Sequence, residues 1–190
     1  MKKLATAAIA ALIAGPALAH TGVGEANGFL HGLGHPVLGP DHLLAMLAVG
    51  LWSGFVLPHR FWAGAAAFMG AMIFGAGLSW SGIGYPGVET VIVASVVVFG
   101  LLTLVSRRGQ PGWMTLASLA AIAGFASAHG HAHATEASGN ALAYLAGFLV
   151  STAALHLAGI GIARAVAAQP VAQRALGAGI ALSGLWLMAG

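Results

Sequence analysis

The chain has 190 residues, 59% of them hydrophobic and only 6% charged, with a mean hydropathy of +0.92. A soluble domain carries about a quarter of its residues as charges, so this composition excludes a soluble globular protein, and the same apolar excess excludes disorder. Cysteine is absent, which removes disulfides, thiolate-bound zinc and cysteine nucleophiles; 7 Lys+Arg against 4 Asp+Glu raise the pI without building a phosphate-binding face, so no nucleic-acid partner is expected.

From the N-terminus, Lys2 and Lys3 precede an apolar stretch that breaks at Gly15 and Pro16, ahead of Ala17, Leu18 and Ala19. This is the layout of a cleaved signal peptide. Cleavage is expected after Ala19, making 1–19 a leader and 20–190 a single membrane domain that begins at His20. Six apolar segments follow, at 40–57, 61–80, 86–106, 113–128, 141–163 and 172–189, each near the length of about 20 residues that a helix needs to span a bilayer. Pro58, Pro86-Gly87, Pro111-Gly112 and Pro170 punctuate them, because proline lacks a donor and disfavours helix in the residue before it. The fold class is therefore all-α, a polytopic bundle of six transmembrane helices in contact with membrane lipid. The breaks are short, which predicts that consecutive helices pack as antiparallel neighbours.

Arg60, Arg107, Arg108, Arg164 and Arg174 follow the first, third and fifth segments. By the positive-inside rule those connections face the cytoplasm, which puts both mature termini on the outer side. Small residues recur at helical spacing, in Gly50 with Gly54, Ala71 with Gly75, Gly147 with Ser151 and Gly179 with Ser183. Such pairs allow close helix contact in lipid, where no hydrophobic force drives association.

The polar residues are concentrated. His31, His35, Asp41 and His42 stand at the start of the first segment, and His129, His131, His133 and Glu136 at the end of the fourth. Ionisable groups at membrane depth are costly and point to function. In the first cluster Gly32, Gly34, Pro36, Gly39 and Pro40 interrupt the helix, and a broken segment is tolerated in a membrane only where it is buried in protein or lines a cavity. His31 and His35 share a helical face, Asp41 falls in the first turn of the next helix, and His42 follows it. Imidazoles and a carboxylate meeting at a kink suit a divalent transition metal rather than magnesium, calcium or copper(I). The topology puts the second cluster on the same outer side, with Glu89 at a similar depth. A mature N-terminal His20 offers an α-amine and an imidazole as a further chelating pair.

The segment HPVLGPDHLLAMLAVG, from His35 to Gly50, resembles the HPxxGxDHxxAMxxxG signature of the HupE/UreJ family of nickel/cobalt permeases at every specified position. HGHAHATE, from His129 to Glu136, is similar to that family's HGxAHGxE and departs at Ala134. Glu89, Ser95, Phe68 and His156 also look like family positions. The resemblance implies a bacterial inner-membrane permease that brings Ni²⁺ or Co²⁺ from periplasm to cytoplasm for nickel enzymes such as hydrogenase or urease. The metal is its transported substrate, no organic cofactor is implied, and no enzymatic activity is expected.

No lysine follows Lys3, so there is no P-loop; passive conduction, ion-coupled transport, a homo-oligomer and a separate energising protein are all compatible with the sequence. Two other classes are alternatives. A haem redox protein would use His156 as axial ligand, and a metal-storage or sensing protein would use the same clusters without transport. An intramembrane metallohydrolase lacks its HExxH signature.

Overall fold

The computed structural model describes residues 28–137 and 140–190; the leader, its cleavage site and His20 lie outside the described residues. Regular structure within them is helical throughout: α1 (Gly28–Leu38), α2 (Pro40–Val56), α3 (Ala63–Trp80), α4 (Val88–Val105), α5 (Gly112–Glu136), α6 (Ala141–Ala165) and α7 (Pro170–Ala189). Helices α3, α4, α6 and α7 are each long and apolar enough to cross a membrane, and α1 with α2, bent by 78° at their junction, passes the same test as a pair and is a fifth candidate. Helix α5 has the length, at 25 residues, but its histidines and Glu136 lower its hydropathy.

The bend between α1 and α2 follows from local chemistry. Pro40 at the first position of α2 pushes its predecessor out of the helical region, and Gly39 is extended, at φ −87° and ψ 113°. The amide of Gly39 still donates to the His35 carbonyl at 3.1 Å, closing the last turn of α1. Pro36 lies inside α1, where it leaves the Gly32 carbonyl without its intrahelical donor.

Two expectations are corrected. The fourth segment does not end at 128: α5 runs on through Glu136, where no proline interrupts it and Gly130 seats it against the Met72 backbone of α3. Consecutive helices are not the main packing partners either. The closest associations are α3 with α5, α4 with α7, and α6 with both α1 and α2. The reason is where glycine lies. At each of these four seams, both helices present a glycine whose added Cβ would strike the partner's backbone: Gly32 and Gly147 between α1 and α6, Gly50 and Gly159 between α2 and α6, Gly75 and Gly130 between α3 and α5, Gly100 and Gly177 between α4 and α7. Without a hydrophobic drive in lipid, such close backbone contact decides which helices pair. Of the small-residue pairs read from the sequence, Gly50, Gly54, Gly75 and Gly147 do lie in seams, whereas Gly179 faces open space. The core between the seams is apolar and aromatic, with Trp52, Phe68, Phe99, Tyr144 and Phe148 fully buried.

Candidate metal centre

Three histidines from three helices meet where α1, α2 and α5 come together. One ring nitrogen each from His35, His42 and His133 lies within 4.8 Å of the other two, the sole such group of three or more His, Asp or Glu among the described residues. His35 and His42 come from either side of the Gly39–Pro40 bend, which folds the two flanking turns toward each other. Their ring centroids are 5.3 Å apart. His133 arrives on a straight helix. Residues 129, 133 and 136 recur at spacings of four and three, so they share one face of α5.

Carboxylates hold the outer nitrogens of two of these rings. His42 Nδ1 is 2.6 Å from Asp41 Oδ1, which also accepts from the His42 amide at 2.9 Å. His133 Nδ1 is 3.2 Å from Glu136 Oε2, and the same oxygen is 3.7 Å from His35 Nε2. An ionised carboxylate only accepts, so each Nδ1 carries its proton toward a carboxylate and each Nε2 keeps a lone pair. These tautomers are assigned from the hydrogen-bond network. The two Nε2 atoms then face each other at 2.6 Å. Lone pairs so placed repel, and a shared cation resolves the repulsion once the rings part to the spacing of about 3 Å that metal–nitrogen bonds of ~2.1 Å require. A carboxylate behind a ligating imidazole is the usual way such a ring is oriented and made more basic.

The other residues singled out in the sequence occupy different positions. His129 is fully buried one turn deeper than His133, with its centroid 5.1 Å from that of His42. His131 points to the opposite side of α5, where its Nε2 lies 2.7 Å from the Ile83 carbonyl, so it is drawn away from the cluster. His31 is exposed and packs 5.3 Å from Tyr144 and 6.2 Å from His35, at the rim. Glu89 is exposed in the first turn of α4, with no ion pair to a described residue. Tyr144 and Phe148, not singled out in the sequence, wall the site: the Phe148 ring is 4.3 Å from that of His133, and the buried Tyr144 hydroxyl has no hydrogen-bond partner among the described residues. Their spacing of four on α6 was the available signal, and it is also that of any buried helix face.

The arrangement can do one kind of chemistry well. Imidazole nitrogens with carboxylate support and no thiolate favour nickel, cobalt or zinc over hard or very soft cations. His42 and His133 are buried while Glu136, His35 and Asp41 are partly open to solvent, so the cluster is reached past one imidazole and two carboxylates.

Comparison with known proteins agrees with this chemistry. The model of the family described as HupE / UreJ protein matches residues 8–187. A curated relative, Protein HupE of Rhizobium leguminosarum bv. viciae, is 39% identical over 186 residues, 95% of this chain and 95% of the relative. No solved structure matches significantly. A family match over nearly the whole chain, joined to a histidine cluster inside a helical membrane bundle, means that this chain belongs to the HupE/UreJ family of nickel/cobalt permeases.

Proposed function

We propose that the protein takes up Ni²⁺, with Co²⁺ as a second substrate, from the periplasm into the cytoplasm across a bacterial inner membrane, for the supply of nickel enzymes such as hydrogenase or urease. The observation that carries this reading is the convergence of His35, His42 and His133 with carboxylates behind them. Direction rests on the arginines. Arg60, Arg107 and Arg108 follow the ends of α2 and α4, Arg164 lies in the last turn of α6, and Arg174 opens α7, while the cluster sits at the start of α2 and the end of α5. If the arginine end is cytoplasmic, the metal centre opens outward, α5 supplies the sixth span, and both mature termini are periplasmic once 1–19 has been removed.

In this mechanism Asp41 and Glu136 draw the hydrated ion in and offset its charge as it loses water. His35, His42 and His133 replace those waters. Glu89 adds negative potential on the approach, His31 stands at its rim, and His20, the first mature residue, acts as a capture arm through its amine and ring.

Uptake of radioactive nickel by a host lacking its own nickel transport, with cobalt and zinc as competitors, tests class and substrate together. Uptake should saturate, and His42→Ala should lower it at limiting nickel by about tenfold or more with membrane abundance unchanged. Uptake no higher than that of the empty host would refute the proposal. A reporter fused after Gly109 should be active only as a cytoplasmic fusion and one after Gly190 only as an external fusion; the opposite pattern would reverse the direction. One alanine inserted ahead of His20, with cleavage confirmed by mass spectrometry, should raise the nickel concentration for half-maximal uptake if the arm exists.

A further inference from the structure

Below the metal centre the bundle contains polar atoms that no described residue satisfies. His156, in the middle of α6, is 1% exposed, and neither ring nitrogen has a hydrogen-bond partner. The Thr152 carbonyl one turn earlier comes near the ring without reaching hydrogen-bond geometry. The Thr152 hydroxyl, on the same face of α6, is fully buried and also unpartnered. Such groups in a native core are rare and call for an explanation, of which a transient ion or water is one.

His129 adds a second ligand of the same kind. Ser95 Oγ donates its single proton to the Ile92 carbonyl at 2.6 Å, so at 3.0 Å it can only accept from His129 Nε2. That fixes the tautomer of His129. Its Nδ1 keeps the lone pair, buried and without a partner.

The rings form a continuous series through the protein. Centroid separations are 4.5 Å from His133 to His42, 5.1 Å from His42 to His129, 5.4 Å from His129 to Phe68, and 5.1 Å from Phe68 to His156. The Phe68 ring lies between the two inner histidines, and an aromatic ring attracts a passing cation. Carboxylates stop at the outer cluster. The inner rings therefore hold an ion less tightly than the outer ones, as release requires.

We propose that His156, with the Thr152 hydroxyl one turn away, forms a second, weaker transition-metal site inside the membrane, to which an ion passes from the outer centre by way of His129 Nδ1 and the Phe68 ring before it leaves toward the cytoplasm. The hand-over rests on the transport reading; the inner site itself does not.

Two measurements test it. Purified protein in detergent carrying His42→Ala and His133→Ala should still bind Co²⁺, seen as a weak visible absorption band, and adding His156→Leu should abolish that band. In cells, His156→Leu and His156→Gln in the otherwise intact chain should each lower maximal nickel uptake by about tenfold while the half-saturating concentration changes less than about twofold. A structural role predicts otherwise, because an apolar replacement of a buried unpaired group is close to neutral for folding. No residual cobalt band in the His42→Ala/His133→Ala protein, which needs no change at His156, overturns the inner site. Unchanged maximal uptake in the two His156 variants overturns the hand-over and leaves the transport reading intact. A residual band that depends on His156, in a protein that moves no nickel, upholds the inner site and defeats the transport reading.

Discussion

The α1–α2 elbow and the outer end of α5 deliver the same side chain to the same place by opposite means. The elbow breaks the helix at Gly39 and Pro40, so His35 and His42 meet from two directions. Helix α5 stays intact and relies on its period to line up His129, His133 and Glu136 while sending His131 away to the Ile83 carbonyl. A broken segment can choose the angle between two ligands but exposes its backbone. An unbroken one spends no backbone hydrogen bonds but can offer ligands only along one line. Joining the two brings ring nitrogens together from several directions while only Gly39 leaves the helical conformation.

The largest expected effect comes from displacing the straight helix. Gly130→Ala would drive its Cβ into the Met72 carbonyl on α3, whereas Gly124→Ala on the same helix meets open space. Overpacking against backbone is destabilising by about 1–3 kcal/mol or more, so membrane abundance of Gly130→Ala should collapse and that of Gly124→Ala should match wild type on an immunoblot. Equal abundance would mean that this seam does not hold α5 in place. Next in size, His133→Ala should reduce uptake at limiting nickel as severely as His42→Ala, by about tenfold or more. A mild phenotype would make the elbow the whole site.

Between the carboxylates the elbow should matter more. Asp41 Oδ1 is 2.6 Å from its ring and its side chain is 20% exposed; Glu136 is at 3.2 Å and 47% exposed. Asp41→Asn is therefore expected to raise the half-saturating nickel concentration about tenfold, and Glu136→Gln about threefold, since solvent-exposed pairs are worth under ~1 kcal/mol. The reverse order in an uptake titration would contradict the geometry. Smallest of all is His131→Ala. It should leave uptake within about twofold and lower thermal stability by the worth of one hydrogen bond, about 1 kcal/mol, read as a small fall in melting temperature in detergent.

Much of this comparison was legible in the amino acids. Pro40 after Gly39 announced the elbow, and the run from His35 to Gly50 identified the family. The identity of the clustered residues followed from the cost of ionisable groups in lipid. What could not be read was long-range. The alternation of histidine with alanine from 129 to 134 suits a solvated loop as well as a helix, and only the contact of Gly130 with α3 decides for helix. Seam pairing was hidden because Gly75, Gly130 and Gly179 look alike in sequence, while their neighbours in space differ. His133 joining His42 and His35, rather than staying with its own cluster, is likewise a product of which seams form. The unsatisfied state of His156 has no local sign at all, since it depends on which groups of other helices come within hydrogen-bond reach of its ring.

The order in which the seams can close has a consequence for synthesis. The partners of the elbow are made late: His133 follows His42 by 91 residues, and α6, against which both α1 and α2 pack, follows α5. At a ribosomal pace of about 5–20 residues per second, the elbow waits roughly 5–20 seconds in the bilayer before the histidine that completes it emerges. During that interval the nascent chain holds only two of its three clustered imidazoles, and its first helices have none of their glycine-lined partner on α6. The three-histidine cluster is therefore complete only once α5 has emerged, and a chain truncated before α6 carries all three imidazoles without the helix against which α1 and α2 pack.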